Sequence, residues 1–276
     1  MDKKVFIGVG HGGIDPGAVS GKFKESVLNL TIALAAKEEL ERHGVSVGIS
    51  RVVEETDKLI DEIKECNAFS PDVAIEVHNN AGSPTADGFE VYIQTDSRKA
   101  ASTSLAKAIT KRVNAMGQNN HGEPLKTKKN ADGTDYFGWL RQTKCPAVLL
   151  EGFFVDGLKD RLDFDTEKEQ QKLGKAYAQG VLDYLGIAVK AQSSPSTAPS
   201  APVGKGQYLV QAGAFDKRTG ANEQCGALKA AGIPAFVKMM DGKYIVQAGI
   251  FNNRTGAENL KKLLASKGFP SFIKKV

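Results

Sequence analysis

Two histidines and two glutamates stand where a folded sheet could bring them together. His11, His78 and Glu151 each follow a short apolar stretch typical of a buried strand, and Glu25 opens the first long helical segment. The carboxyl ends of parallel strands meet at one sheet edge, which the start of that helix can also reach. Two imidazoles and a carboxylate can bind Zn²⁺ with one position open, and a second carboxylate can act as a general base. Each histidine taken alone is more often a capping or packing residue, so the spacing leaves both interpretations open.

The segments that would carry these residues alternate between strand and helix over residues 1–190. The apolar runs predict strands over 4–9, 45–50, 73–77, 89–94 and 146–150. Apolar residues at helical spacing predict helices over 25–43, 55–69, 98–115 and 166–185, with a polar loop over 117–135. This order predicts an α/β domain with a mostly parallel sheet and helices on both faces.

The first loop also offers a competing motif. Residues 8–13 formally match GxGxxG after a strand, which is the pattern of dinucleotide-binding domains. That pattern requires a helix to begin inside the motif, whereas here the helix begins at about residue 25. The second strand ends at Ser50 and Arg51 rather than at the acidic residue that would bind a ribose. The sequence therefore does not support dinucleotide binding.

Composition divides the chain into two domains. Residues 191–204 carry no charge and three prolines, so we expect an extended linker there. Residues 205–276 hold 12 Lys and Arg against 4 Asp and Glu, whereas residues 1–190 hold 25 against 28. The uneven charge suggests a catalytic domain joined to a basic targeting domain. No run of apolar residues is long enough to span a membrane. We also expect a chain made without a signal peptide.

The basic domain contains an internal repeat. Residues 208–215 match residues 244–251 at an offset of 36, and each copy has the pattern of a strand, a helix and a strand. One copy is too small to fold alone, so two 36-residue repeats predict a small α+β domain of βαββαβ order. An RNA-binding domain of this order would need aromatic and basic signatures on its central strands. Gln211 and Gln247 stand there instead, so we expect no nucleic acid as a partner.

Four ordered motifs carry a family resemblance. They are HGGIDPGA at residues 11–18, Glu25 ahead of NLTIAL at 29–34, VHNNA at 77–81 and PAVLLEGF at 146–153. The first domain resembles the zinc-dependent N-acetylmuramoyl-L-alanine amidases of the amidase-3 type. The tail resembles the SPOR domain, which binds peptidoglycan glycan strands. The combination is similar to the mother-cell autolysins of spore formers and to some phage endolysins.

The resemblance implies a role for each matched residue. His11, Glu25 and His78 match the zinc ligands, with one Zn²⁺ per chain, and Glu151 matches the catalytic carboxylate. It further implies cleavage of the amide between the lactyl group of N-acetylmuramic acid and the L-alanine of the stem peptide. We expect Asn80, His121 and Arg141 to contact substrate. The family commonly has a serine two residues before the second histidine, where this chain has Glu76.

The tail should contribute wall binding. Gln211 and Gln247 should face outward and contact glycan, with Phe215 and Phe251 extending that face or joining the core. We expect the net positive charge to attract anionic wall polymers, and the enzyme to reach the wall after lysis or phage-assisted release.

Three rival interpretations of the first domain fit its residues less well. A glycosidase would need paired carboxylates but no ordered histidines. A cysteine amidase would need a reactive thiol, whereas Cys145 lies at a strand start where burial is expected. A wall-binding protein with a degenerate amidase domain is disfavoured because the matched residues are intact.

Overall fold

The computed structural model describes residues 3–190 and 208–275, apart from 232, 234, 241, 252 and 253. These residues form two compact units, one on each side of the stretch 191–207. The predicted linker over 191–204 lies outside the described residues and stays a prediction. Among the helices that are described, none is both long and apolar enough to cross a membrane.

The first unit alternates strands and helices along the chain. In chain order it contains β1 (Lys4–Val9), β2 (Val19–Ser20), β3 (Phe23–Lys24), α1 (Glu25–Arg42), β4 (Ser46–Ile49), α2 (Leu59–Phe69), β5 (Val73–Asn80), β6 (Phe89–Ile93), α3 (Lys99–Ala115), β7 (Asn120–Lys126), α4 (Gly138–Gln142), β8 (Ala147–Phe154), α5 (Leu158–Asp163) and α6 (Glu167–Tyr184).

Six of these strands form one sheet in the order β4-β1-β5-β8-β6-β7. The strands β4, β1, β5 and β8 are parallel to one another, and β6 runs antiparallel to β8. The helices α1, α3 and α6 pack on one face, where Ile7, Ile75 and Val148 are fully buried. The helices α2 and α4 cover the other face around Trp139. The α/β prediction, with a mostly parallel sheet and helices on both faces, is confirmed.

Two predicted segments differ from the structure. The predicted polar loop over 117–135 contains the strand β7, which pairs with β6 at the sheet edge. An edge strand can keep polar and exposed side chains, so it lacks the apolar alternation that reveals a strand in sequence. The predicted helix over 55–69 begins only at Leu59. The residues before it form a loop that hydrogen-bonds to the start of α1 through Glu54.

The second unit is a small antiparallel sheet with helices. Its elements are β9 (Tyr208–Phe215), α7 (Arg218–Ala230), β10 (Phe236–Met240), β11 (Lys243–Phe251), α8 (Arg254–Ser266) and β12 (Phe272–Lys275). The strand order is β10-β11-β9-β12, and all pairs are antiparallel. The predicted βαββαβ order built from two repeats is confirmed.

The exposure predicted for two tail glutamines is wrong. Gln211 and Gln247 are only 4% and 2% exposed, and they lie opposite each other on the central strands β9 and β11. A central strand has neighbours on both sides, so flanking side chains can cover a polar residue there. The Gln247 amide nitrogen lies 3.2 Å from Sδ of Met240 on the neighbouring strand. Phe215 and Phe251 are half-buried.

Candidate metal centre

Parallel pairing brings His78 and Glu151 together. The two residues are Cα partners within β5 and β8, which continue past them to Asn80 and Phe154, whereas the sequence predicted that both strands end just before these residues. Side chains alternate between the faces of a strand, so Glu76 lies on the same face of β5 as His78. Glu90 on β6 is the Cα partner of Glu151 on its other side. Four titratable side chains therefore share one patch of the sheet.

His11 follows β1 in an unusual backbone conformation. Its φ is 63°, in the left-handed region that non-glycine residues rarely adopt. The residue before it, Gly10, packs directly against the ring of His78, and a Cβ atom there would lie 2.2 Å from that ring. The rings of His11 and His78 meet edge to face, with centroids 4.9 Å apart. A glycine at position 10 is thus what allows the two imidazoles to approach each other.

Glu25 is fixed by the start of α1. The helix has no side-chain cap, and carbonyl oxygens of Ala18 and Pro16 accept from the backbone N–H groups of Glu25 and Ser26. In return, Glu25 Oε2 accepts a hydrogen bond from the Ala18 N–H at 2.8 Å. Its other oxygen, Oε1, accepts from the Asn79 N–H at 3.1 Å. Both oxygens are therefore held in place, and the side chain is only 6% exposed.

The three side chains converge on one point. Glu25 Oε1 lies 3.3 Å from His11 Nε2 and 3.0 Å from His78 Nδ1. One ligand atom from each residue lies within 4.8 Å of the others. Two atoms that each lie about 2.1 Å from one zinc ion are separated by roughly 3–4 Å, which is close to these distances. The donor set and its spacing therefore fit a zinc ion.

The charges of the cluster are coupled. Burial alone raises the pKa of Glu25, but hydrogen bonds from His11 and His78 outweigh it and hold the pKa well below its usual range. Burial lowers the pKa of His78, but the nearby carboxylates of Glu25 and Glu76 raise it well above its ordinary value. Burial lowers the pKa of His11, but the hydrogen bond and charge of Glu25, together with the hydrogen bond to Asp15, outweigh burial and raise it. Without a metal, the neighbouring carboxylates therefore stabilise the protonated form of both imidazoles.

Glu151 is buried beside this cluster, and one of its carboxylate oxygens lacks a hydrogen-bond partner within the described part of the chain. Among the described residues, its Oε2 is one of the few buried polar atoms without a hydrogen-bond partner. Burial raises the pKa of Glu151 to about 8, the charge of His78 opposes that rise, and those of Glu25 and Glu90 add to it. A carboxyl group with a pKa near neutrality can accept and return a proton.

Two carboxylates contact the outer ring nitrogens, a contact that the sequence analysis did not assign to either residue. Asp15 Oδ2 lies 2.8 Å from His11 Nδ1, and Glu76 Oε1 lies 3.6 Å from His78 Nε2. A carboxylate on the far side of a ligating imidazole fixes its tautomer and orientation. The period of two along β5 could have revealed Glu76, since it lies two residues before His78. Asp15 lies in the first family motif, four residues after His11.

Three further predicted substrate residues have other contacts. Asn80 donates to Glu90 Oε2 at 3.0 Å, which places it next to the strand partner of Glu151. The ring of His121 packs against Phe154, and its Nδ1 lies 3.0 Å from the Asp87 carbonyl oxygen. Arg141 donates to the carbonyl oxygens of Asp135 and Tyr136, at 2.6 and 3.0 Å. Substrate contact by Asn80, His121 and Arg141 stays a prediction.

Two family profiles match the chain, one in each unit. The profile of the N-acetylmuramoyl-L-alanine amidases of the amidase-3 type matches residues 5–183. This range contains all four residues of the site just described. The SPOR domain profile matches residues 241–276, which contain the second of the two tail repeats.

Sequence matches to two curated relatives cover most of the chain. It is 31% identical over 240 residues to a sporulation-specific N-acetylmuramoyl-L-alanine amidase of Bacillus subtilis, covering 86% of this chain and 85% of the relative. It is 30% identical over 217 residues to an endolysin of Bacillus phage SPP1, covering 76% of each. Both similarities are long enough to include parts of both units.

A solved structure supports the same assignment for the first unit. The catalytic domain of CwlV, an N-acetylmuramoyl-L-alanine amidase from Bacillus (Paenibacillus) polymyxa var. colistinus, is 27% identical, with a TM-score of 0.58. The match covers 67% of this chain and 99% of that domain. The chain therefore belongs to the N-acetylmuramoyl-L-alanine amidase family of the amidase-3 type, and it carries a C-terminal SPOR domain.

Proposed function

We propose that this chain is a zinc-dependent hydrolase that cleaves the amide between the lactyl group of N-acetylmuramic acid and the L-alanine of the stem peptide. The observation that carries the proposal is the convergence of His11, Glu25 and His78 within 4.8 Å. Glu151 lies beside them, paired with His78 across neighbouring strands. Family membership supports the peptidoglycan substrate, and the donor set supports one zinc ion per chain.

His11, Glu25 and His78 would hold the metal through Nε2, a carboxylate oxygen and Nδ1. These are the atoms that face one another, while the outer ring nitrogens face Asp15 and Glu76. A bound zinc ion supplies a Lewis acid that polarises the scissile carbonyl and brings the pKa of a water molecule to about 7. An amide needs both effects, because it is a poor electrophile and neutral water is a poor nucleophile.

Glu151 would carry the proton. In the metal-free chain its pKa of about 8 favours the protonated form at neutral pH. A zinc ion held by His11, Glu25 and His78 would place a positive charge beside Glu151 and favour its ionised form. The ionised carboxylate can then accept a proton from water. The same carboxyl group would return the proton to the departing amide nitrogen. Its unpaired Oε2 leaves one oxygen available for both transfers.

The tail would keep the enzyme on its insoluble substrate. The SPOR match makes peptidoglycan the expected partner of the second unit, and the excess of 12 basic over 4 acidic residues in 205–276 suits anionic wall polymers. Long-range attraction between exposed charges is screened by salt, so short-range contacts to glycan must supply the remaining affinity.

Mass spectrometry of digested peptidoglycan tests the proposal. The expected products are stem peptides with a free N-terminal L-alanine and glycan strands with intact glycosidic bonds. A chelator should abolish the release of these peptides, and added Zn²⁺ should restore it. His78→Ala should neither bind zinc nor release peptide. Cleavage at a glycosidic bond, or full activity in a metal-free preparation, would overturn the proposal.

A further inference from the structure

A single buried guanidinium bonds to the backbone on both sides of the candidate metal centre. Arg51 follows β4 and is 1% exposed. Its Nε donates to the Val9 carbonyl oxygen at 3.1 Å, and its Nη2 donates to that of Gly10 at 3.2 Å. The same Nη2 donates to the Ser26 carbonyl oxygen at 2.7 Å. These carbonyls belong to residues directly before His11 and directly after Glu25.

The remaining donors of Arg51 are also used. Its Nη1 donates to the Val53 carbonyl oxygen at 3.3 Å and to Glu54 Oε2 at 3.1 Å. A guanidinium has five N–H donors, and the five acceptors account for all of them. Glu54 Oε1 in turn accepts from the Ser26 hydroxyl at 2.7 Å. Arg51 and Glu54 thus both hydrogen-bond to Ser26 at the start of α1, Arg51 to its carbonyl oxygen and Glu54 to its hydroxyl group.

The hydrogen bonds of Arg51 hold the backbone before His11, a residue in a strained conformation. His11 has a φ of 63°, and a residue in that region persists only where surrounding contacts determine it. Arg51 fixes the two carbonyl groups that precede His11. The Gly10 carbonyl oxygen also accepts from the Asn29 side chain at 3.0 Å. The conformation that aims the His11 ring at Glu25 is therefore determined from outside the metal-binding residues.

We propose that Arg51 is a positioning residue that sets the spacing of His11 and Glu25 before metal binds. It contacts neither side chain and acts through the backbone on each side of the site. Lysine cannot replace it, because an ammonium group has three donors and cannot match five acceptors. The inference rests on the proposed function, since it assumes that His11 and Glu25 bind zinc.

Zinc affinity of the full-length chain tests this role. Arg51→Lys should weaken zinc binding, measured by competition with a chromophoric chelator, by about 10- to 100-fold, the range typical for groups that orient metal ligands. Arg98→Lys is the matched control, because Arg98 also donates to backbone carbonyl oxygens, those of Leu140 and Thr143, and pairs with Asp96. This control should lose thermal stability but keep the zinc affinity of the wild type.

A second variant covers the case in which Arg51→Lys does not fold. Glu54→Ala removes one acceptor of Arg51 and the partner of Ser26, and it should weaken zinc binding by roughly 3- to 10-fold. Folded Arg51→Lys or Glu54→Ala with wild-type zinc affinity would overturn the positioning role. Failure of the wild type itself to bind zinc would instead overturn the proposed function.

Discussion

Gly10 leaves no room for a side chain, which makes it a sharp probe of the metal centre. A Cβ atom at this position would lie 2.2 Å from both Cε1 and Nε2 of His78. The backbone cannot easily retreat, because the Gly10 N–H donates to the Val77 carbonyl oxygen at 3.1 Å. Its carbonyl oxygen accepts from Arg51 and Asn29. The Gly10→Ala substitution should therefore displace the His78 ring.

The size of that displacement sets the expected effect. Ordinary contact begins at 3.4 Å, so the ring must retreat from 2.2 Å by about 1.2 Å. A misplacement of about 1 Å at a reacting centre can cost roughly 100-fold in rate, or about 2.7 kcal/mol in the activation barrier. We expect Gly10→Ala to lose about that much kcat/KM on soluble muropeptides. Zinc affinity should fall as well, because His78 is a proposed ligand.

A glycine substitution elsewhere separates this effect from lost stability. Gly44 has a φ of 79° and no atom within 4 Å of a built Cβ, so Gly44→Ala strains the backbone without touching the site. It should cost about 1 kcal/mol in the free energy of unfolding and leave both zinc affinity and kcat/KM unchanged. If Gly10→Ala kept kcat/KM and zinc affinity within threefold of the wild type, the argument from His78 placement would be refuted.

Three further outcomes are expected. Burial raises the folded-state pKa of Glu62 to about 8, so the unfolded chain loses this proton first. Between about pH 4.5 and 8 this group therefore lowers the free energy of unfolding by up to about 1.4 kcal/mol per pH unit. Glu62→Gln should remove most of that slope in urea unfolding followed by the fluorescence of the single tryptophan, Trp139, and an unchanged slope would contradict the assignment. The raised pKa values of His11 and His78 predict that zinc binding at pH 7 releases protons, measured by calorimetry in buffers of different ionisation enthalpy, and release near zero would contradict the raised pKa values. Residues 205–276 alone should bind sacculi with an affinity that weakens but persists as salt rises, whereas equal binding by a chain lacking them would exclude a targeting role.

The sequence predicted the site better than it predicted the surroundings of the site. His11, His78 and Glu151 could be placed because each follows an apolar run typical of a buried strand, and neighbouring parallel strands bring such positions together. The strand β7 could not be predicted, because its polar residues 120–126 follow no apolar period. The burial of Gln211 depends on neighbouring strands, which no local pattern reveals.

Contacts between single side chains and residues distant in sequence also could not be predicted from the sequence. Arg51 serves the site through carbonyl groups at residues 9, 10 and 26, and nothing in its local sequence marks it. Asp15 and Glu76 become meaningful only when the outer nitrogens of the two histidines are located. The order of strands and helices can thus be predicted from the apolar pattern of the sequence. The residues that orient the site can be identified only from their contacts in the folded chain.

The most direct test of the mechanism is the zinc content and the rate of Glu151→Gln measured on the same sample. Glutamine keeps the shape of the side chain but cannot carry the proton, so we predict about one zinc per chain and a rate at least about 100-fold below the wild type. Glu38→Gln, an exposed change on α1, is the control and should retain both. Loss of zinc from Glu151→Gln would make Glu151 a ligand, and a rate close to that of the wild type would contradict its role as the base.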